Sequence, residues 1–268
     1  MFNPIRIDAR NPGAMTGSGN GTYLLAASGG SAILVDAGVG HRGHLQQLAS
    51  ELTRLDATLQ TVAITHWHGD HAGGAPALAA AWPVVEFAKY PWPGEDARLG
   101  VSMVPLNDGD ELSAGDEKLV AVHTPGHAPD HMAFWHEQSR TLFAGDLVVL
   151  GTTVMIDWSR GGDLGQYLAS LERVRELKPA RLLPAHGPAV DDPETLLKTY
   201  IDHRLLRERQ VLAELGHGLD TVPSITESIY HGLAAALMPA ANETVRAHLE
   251  KLKHDGRVIE TDGRWRRR

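Results

Sequence analysis

The heptapeptide Thr65-His66-Trp67-His68-Gly69-Asp70-His71 carries three imidazoles and one carboxylate within seven residues. It follows the apolar run 61–64, which reads as a buried strand. Loops at strand ends are where a rigid sheet presents functional groups. Alternate side chains of an extended segment share a face, so His66 and His68 are expected to point the same way. Gly69 permits a turn that carries Asp70 and His71 round to a second position, and Ala72-Gly73-Gly74 lets backbone lie close to bound ions. Two adjacent half-sites follow, each short of donors. His127, Asp146 and His186 can complete them, each in a loop after a strand-like run and beside a glycine. Imidazole with carboxylate suits zinc, and iron or manganese accept the same donors. The chemistry expected of two such ions is metal-assisted hydrolysis.

Composition narrows the alternatives. The 268 residues include no cysteine, which excludes disulfides, thiolate ligands, iron–sulfur clusters and cysteine nucleophiles. A net charge of −8 supplies no overall field that would draw the chain to nucleic acid or an anionic membrane. No apolar stretch reaches about eighteen residues, so no membrane span is expected. Residues 1–10 lack the apolar core of a leader peptide, which makes the cytoplasm the expected compartment.

Along the chain, runs 22–26 and 31–36 joined at Gly29-Gly30 read as a hairpin. Leu45, Leu48, Leu52 and Leu55 recur at helical spacing, as do Leu164, Tyr167, Leu168, Leu171, Val174 and Leu177 ahead of Pro179. Runs 118–123, 132–135, 141–144 and 181–183 read as strands. Strands mixed with helices predict an α/β arrangement of sheets covered by helices. The character changes at Asp191-Asp192-Pro193, an acidic cap with proline just inside a helix. That helix is expected to run about six turns. A second is expected from Ser224, a third from Asn242 to Gly256, and then two short strands around Asp262-Gly263. Helix, helix, helix, hairpin is the order of a winged helix. The expected domains are therefore 1–190, catalytic, and 191–268, helical and winged-helix-like. Residues 242–268 hold eight Lys or Arg against five acids, a net of +3 that leaves −11 for the remainder. A basic wing can meet phosphates; a solvated tail on a packing or dimer domain explains the same charges.

The order His-x-His-x-Asp-His, then His127, Asp146 and His186, resembles the metallo-β-lactamase superfamily. The resemblance implies a four-layered αβ/βα sandwich followed by the small helical winged-helix domain. It implies that His66, His68 and His127 hold one zinc ion, that Asp70, His71 and His186 hold another, and that Asp146 bridges them. It also implies a metal-bridging hydroxide as nucleophile, with Asp70 as the catalytic carboxylate. Thr124-Pro125-Gly126-His127-Ala128-Pro129-Asp130-His131, Gly151-Thr152-Thr153-Val154, His186-Gly187-Pro188 and Tyr200-Ile201-Asp202-His203-Arg204 resemble the β-lactamase-like protein 2 group. Its members include a single-strand-selective endoribonuclease and thioesterases acting on carrier-bound polyketides. The substrate classes this implies are single-stranded RNA and a small-molecule ester or thioester. Ala128 departs from the group, which usually has a hydroxyl residue there. Asp36 is expected to orient a ligand imidazole, His131 to touch substrate or support the metals, and Thr152 and Thr153 to line the pocket. Alternatives are a glyoxalase-II-like or lactone/lactam hydrolase and, from other classes, an iron-dependent oxidoreductase or a winged-helix nucleic-acid-binding protein. A homodimer is compatible with the C-terminal domain.

Overall fold

The computed structural model describes residues 3–13, 16–26 and 30–268; the turn expected at Gly29-Gly30 lies in part outside them. Two sheets form the body of the molecule. The first orders its six strands as they occur in the chain: β1 (Ile5–Asp8), β2 (Gly21–Ala26), β3 (Ser31–Val35), β4 (Thr58–Ala63), β5 (Glu86–Lys89) and β6 (Met103–Pro105). The second has five: β7 (Glu111–Ala114), β8 (Glu117–His123), β9 (Met132–His136), β10 (Thr141–Gly145) and β11 (Arg181–Pro184), with β11 pairing parallel to β10. Helices α1 (Arg42–Arg54), α2 (Gly69–Ala72), α3 (Ala75–Ala81), α4 (Pro93–Asp96) and α5 (Leu164–Glu176) interrupt the strands.

Strand alternation explains the layering. Ala32 and Leu34 of β3 face Leu48 and Leu52 of α1 and Leu78 of α3, while Ile33 and Val35 face the other sheet. In β10, Phe143 points between the sheets, whereas Leu142 and Ala144 pack towards Leu164, Tyr167 and Leu171 of α5. The central strands β2, β3, β9 and β10 are thus buried on both faces, which is why they read as nearly unbroken apolar runs. Helix, sheet, sheet, helix is the expected four-layered sandwich.

The C-terminal part follows the expected order with two shifted starts. Helix α6 (Pro193–Gly216) begins as expected, with the Asp192 side chain accepting from Thr195 N and proline in the first turn. Helix α7 (Val222–Ile229) starts ahead of Ser224, because Thr221 caps it and Ser224 is its capping-box partner. Helix α8 (Met238–His254) starts a turn before Asn242. β12 (Val258–Thr261) and β13 (Arg264–Arg267) close the chain. Their turn has positive φ at both Asp262 and Gly263, the backbone that a tight two-residue hairpin needs. Val211 and Leu215 of α6, Ile225, Val245, Leu249 and Trp265 form a separate small core. The first half of α6 packs elsewhere: Leu197, Tyr200 and Ile201, with Ala247 of α8, join the core beneath α5.

Candidate metal centre

All seven predicted donors converge at one end of the sandwich. One group comprises His66, His68, His127 and Asp146; another comprises Asp70, His71 and His186. Within each, the donor atoms lie within 4.8 Å of one another. The heptapeptide achieves this by bending at Thr65, Trp67 and His68 after β4 and then closing the single turn α2, with His68 at its start. His68 Nδ1 is 2.7 Å from His66 Nε2 and 3.0 Å from His127 Nε2. Asp146 lies between the groups. Its Oδ2 is 3.6 Å from His127 Nε2 and 3.4 Å from His71 Nε2, and its Oδ1 is 3.4 Å from His186 Nε2. Asp70 Oδ2 is 3.3 Å from His186 Nε2 and 3.5 Å from His71 Nε2.

The hydrogen bonds around the cluster test whether it suits cations. His127 Nδ1 donates to the Met155 carbonyl at 2.9 Å, so its Nε2 presents a lone pair. His71 Nδ1 lies 2.8 Å from Asp36 Oδ2, while its buried Nε2 has no hydrogen-bond partner. Asp36 also accepts from Thr65 N–H at 2.8 Å and from the Thr65 hydroxyl at 2.9 Å. That leaves Thr65 Oγ1 free to accept from His66 Nδ1 at 3.0 Å. Lone pairs on His66 and His127 therefore face the same nitrogen of His68, and a single proton there satisfies only one of them. His66, His71 and His127 are thus tied at the back with a nitrogen directed into the cluster, as a pair of metal ions requires, whereas His186 Nδ1 has no hydrogen-bond partner.

Charge divides the two groups. Burial first, and then the neighbouring imidazoles, lower His66 well below its ordinary range and His68 to about 3, so both are neutral donors. Burial also works against charge on His71 and His186, but carboxylates outweigh it. Asp146 and Asp36 raise His71 well above its usual range, and Asp146 and Asp70 raise His186 to about 9. Burial would raise Asp146, yet His71 and His186 hold it well below the carboxylate range.

The supporting residues divide differently from their sequence reading. Asp36 reaches His71 from a left-handed backbone, φ +65°, so its conformation and its bond occur together. His131 is fully buried and does not reach the pocket, so the expected substrate contact falls away. Its Nε2 accepts from Asp146 N–H at 3.0 Å and its Nδ1 donates to Thr124 Oγ1 at 2.8 Å, which braces the Asp146 loop. Thr152 and Thr153 do line the pocket, as expected. Gly74 does not bring backbone to the centre; a Cβ there would lie 2.1 Å from the Ala37 carbonyl oxygen, so its role is close approach to the Asp36 loop. Gly126, with φ +131°, lets the His127 loop touch α5, where a Cβ would fall 2.3 Å from Tyr167 N. Asn20, Thr65 and Tyr200 escaped the sequence reading. Asn20 is fully buried and donates to the Asp70 carbonyl at 2.6 Å. The Tyr200 hydroxyl accepts from Val149 N at 3.0 Å and lies 2.8 Å from the Thr152 carbonyl, pinning the pocket wall from α6. Thr65 and Tyr200 stand inside motifs and Asn20 between two glycines, but none of these settings names a partner.

Five of the seven donors, His68, Asp70, His127, Asp146 and His186, line a cavity of about 610 Å³, walled in part by Val149, Val154, Met155 and Arg160. Four layers with seven histidine and aspartate donors at the edge of the sandwich define a metal-dependent hydrolase. Residues 16–186 match the Metallo-beta-lactamase superfamily and residues 221–265 the Beta-lactamase associated winged helix domain; the chain belongs to that superfamily. Its fold implies a dinuclear site, and the histidine and aspartate groups above are where this chain can hold it. The beta-lactamase-like protein 2 homolog of Caenorhabditis elegans is 34% identical over 94% of this chain and 85% of its own length. The atrochrysone carboxyl ACP thioesterase of Aspergillus chevalieri is 33% identical over 84% of this chain and 72% of its own. A beta-lactamase domain protein from Burkholderia ambifaria shares the fold, with a TM-score of 0.81 and 23% identity over 99% of this chain and 91% of its own.

Proposed function

We propose that this chain is a zinc-dependent hydrolase of acyl-thioesters. His66, His68 and His127 would hold one ion, Asp70, His71 and His186 a second, with Asp146 shared between them. Nitrogen donors with carboxylates and no sulfur favour zinc over softer-ligand metals. When bound, the ions supply Lewis acidity, lowering the pKa of water and polarising a carbonyl oxygen. The chain's own residues do the rest. Burial pushes Asp70 up, but its bond to His186 and the field of His71 bring it below the usual carboxylate range. It is therefore ionised at neutral pH and able to take a proton at its carboxylate. Asp36, through His71 and Thr65, keeps the imidazoles in one orientation. Val149, Val154 and Met155 offer an apolar wall to an acyl chain. Water adds to the carbonyl carbon, the carbon–sulfur bond breaks, and the products are a carboxylic acid and a thiol.

The observation that carries this reading is a two-group donor cluster at the floor of a partly apolar cavity, in a chain of net charge −8. The Aspergillus relative named as a thioesterase supports it. Single-stranded RNA is the second reading, favoured by exposed Arg264, Arg266, Arg267 and Arg268 at the wing. Arg264, however, is engaged with Asp220 at 2.6 Å.

The absence of cysteine makes the test direct, because a thiol reagent added to the reaction reads only product. Zinc-loaded protein is expected to release thiol from acetyl-N-acetylcysteamine. Asp70→Ala is expected to lower the rate by more than about a hundredfold, the scale of general-base loss, and to retain less metal. Cleavage of single-stranded RNA with no thiol release would replace this reading by the second.

A further inference from the structure

The wall of the cavity carries a cation that the hydrolytic chemistry does not use. Residues Trp158–Arg160 form one 3-10 turn. From it the Arg160 side chain lies over the Trp67 indole, its guanidinium carbon 4.7 Å from the ring centroid. Trp67 is in turn packed edge-on against Trp92, with centroids 5.5 Å apart, and lies 4.9 Å from the His68 ring. Arg160 lines the same cavity as His68, Asp70 and Asp146, and it is exposed. Among the described residues it makes no ion pair. Asp157, the remaining charged residue of this wall outside the candidate ligands, forms no ion pair with Arg160; burial, then Glu243 of α8, raise its carboxyl, while the charge and backbone N–H of Arg160 lower it. A guanidinium lying on an indole is held by the ring's field while its N–H edge stays open. That edge is shaped for a pair of oxygens of a carboxylate or phosphate.

The turn itself is tied to the C-terminal domain. Glu243 Oε2 accepts from Ser159 N–H at 3.1 Å and Oε1 from the Ser159 hydroxyl at 2.9 Å. Helix α8 therefore grips the residue immediately before Arg160.

We propose that Arg160 is the specificity-determining residue of the cavity, binding an anionic group of the substrate remote from the bond that breaks, and that Glu243 positions it through Ser159. The choice of probe rests on the thioester reading. The anion is a carboxylate on the acyl side or a phosphate on the thiol side, and matched substrate pairs separate the two. One pair is butyryl- and succinyl-N-acetylcysteamine. The other is acetyl-pantetheine and acetyl-4′-phosphopantetheine.

For the wild type, KM is expected to be about tenfold lower for the anionic member of one pair, as one charge-assisted hydrogen bond would provide. Arg160→Gln should raise that KM about tenfold more than it raises the KM of the neutral partner, with Arg160→Lys recovering part of the difference. Glu243→Ala should move the same KM ratio in the same direction, and Glu243→Gln should restore some of it, because one acceptor oxygen remains. Equal effects on charged and neutral members, or no preference in either pair, would overturn the proposal. If no thioester is hydrolysed, the thioester reading fails on its own. The anion site is then decided by calorimetry of 4′-phosphopantetheine against pantetheine, and of succinate against butyramide. Weaker binding of one anion to Arg160→Gln than to wild type sustains the site, and equal affinity for both removes it.

Discussion

Asp36 shows how much a single side chain contributes at this centre. It meets His71 Nδ1 and two donors of Thr65, and through Thr65 it reaches His66 as well. One carboxylate therefore orients an imidazole in each donor group. Asp36→Asn is the informative change, because Asn accepts a left-handed backbone and only the charge and one acceptor are lost. Zinc affinity is expected to fall about 10- to 100-fold, measured by competition with a chromogenic chelator. Unchanged affinity would leave Asp36 as a turn residue only. The seven candidate donors that converge here were legible in the sequence, since their order and residue types carry the chemistry. For His131 the sequence left two roles open, substrate contact or support of the metals, and its bond to Asp146 N–H fits the second: nothing in a sequence distinguishes an imidazole that faces a cavity from one that hydrogen-bonds a backbone N–H beneath it.

At the level of elements, α1 combines an expected pattern with an unexpected burial. Leu48 and Leu52 pack on the first sheet as their spacing requires. His44, on the same helix, is fully buried, with its Nε2 2.9 Å from Thr22 Oγ1. Burial lowers its pKa from 6.5 to about 4. The unfolded chain therefore takes up a proton more readily than the folded one between those values. The stabilisation from a neutral His44 is complete above about 6.5 and is lost as pH falls towards 4, up to about 3 kcal/mol. Thermal melts across that window should show a decline that His44→Gln reduces in part, because buried His66 and His68 contribute with the same sign; an identical pH profile in the variant would exclude His44 as a cause. Long elements such as α5 and α6 were readable from periodicity. β5, β6, β7 and α3 were not, because three to seven residues hold too few repeats to separate a strand or short helix from a loop.

For the molecule as a whole, α6 matters most. We propose a division near residue 190 into catalytic and winged-helix parts, one that separates roles more cleanly than packing. Leu197, Tyr200 and Ile201 of α6 belong to the core beneath α5, and Val211 and Leu215 of the same helix belong to the C-terminal core. Arg204, between them, is buried over Tyr167 and donates to the Val154 carbonyl. Each large apolar side chain in such a position contributes on the order of 1.5–3 kcal/mol. A chain ending at residue 190 is therefore expected to melt well below the full-length protein or to be recovered insoluble, measured by soluble yield and thermal scan. An unchanged melting temperature would refute the shared core. No helix among the described residues is long and apolar enough to cross a membrane.

The amino-acid sequence by itself determined which residues can bind metal, that thiolates have no part, that two sheets are covered by helices, and that a winged helix follows. These properties reside in residue type, order and period, which need no partner to be read. Only the tertiary structure decided which imidazole nitrogens face inward, that Asp146 stands between two donor groups, and that α8 reaches back to hold the turn bearing Arg160. Those properties are distances between residues far apart in the chain, and chain order alone does not encode them.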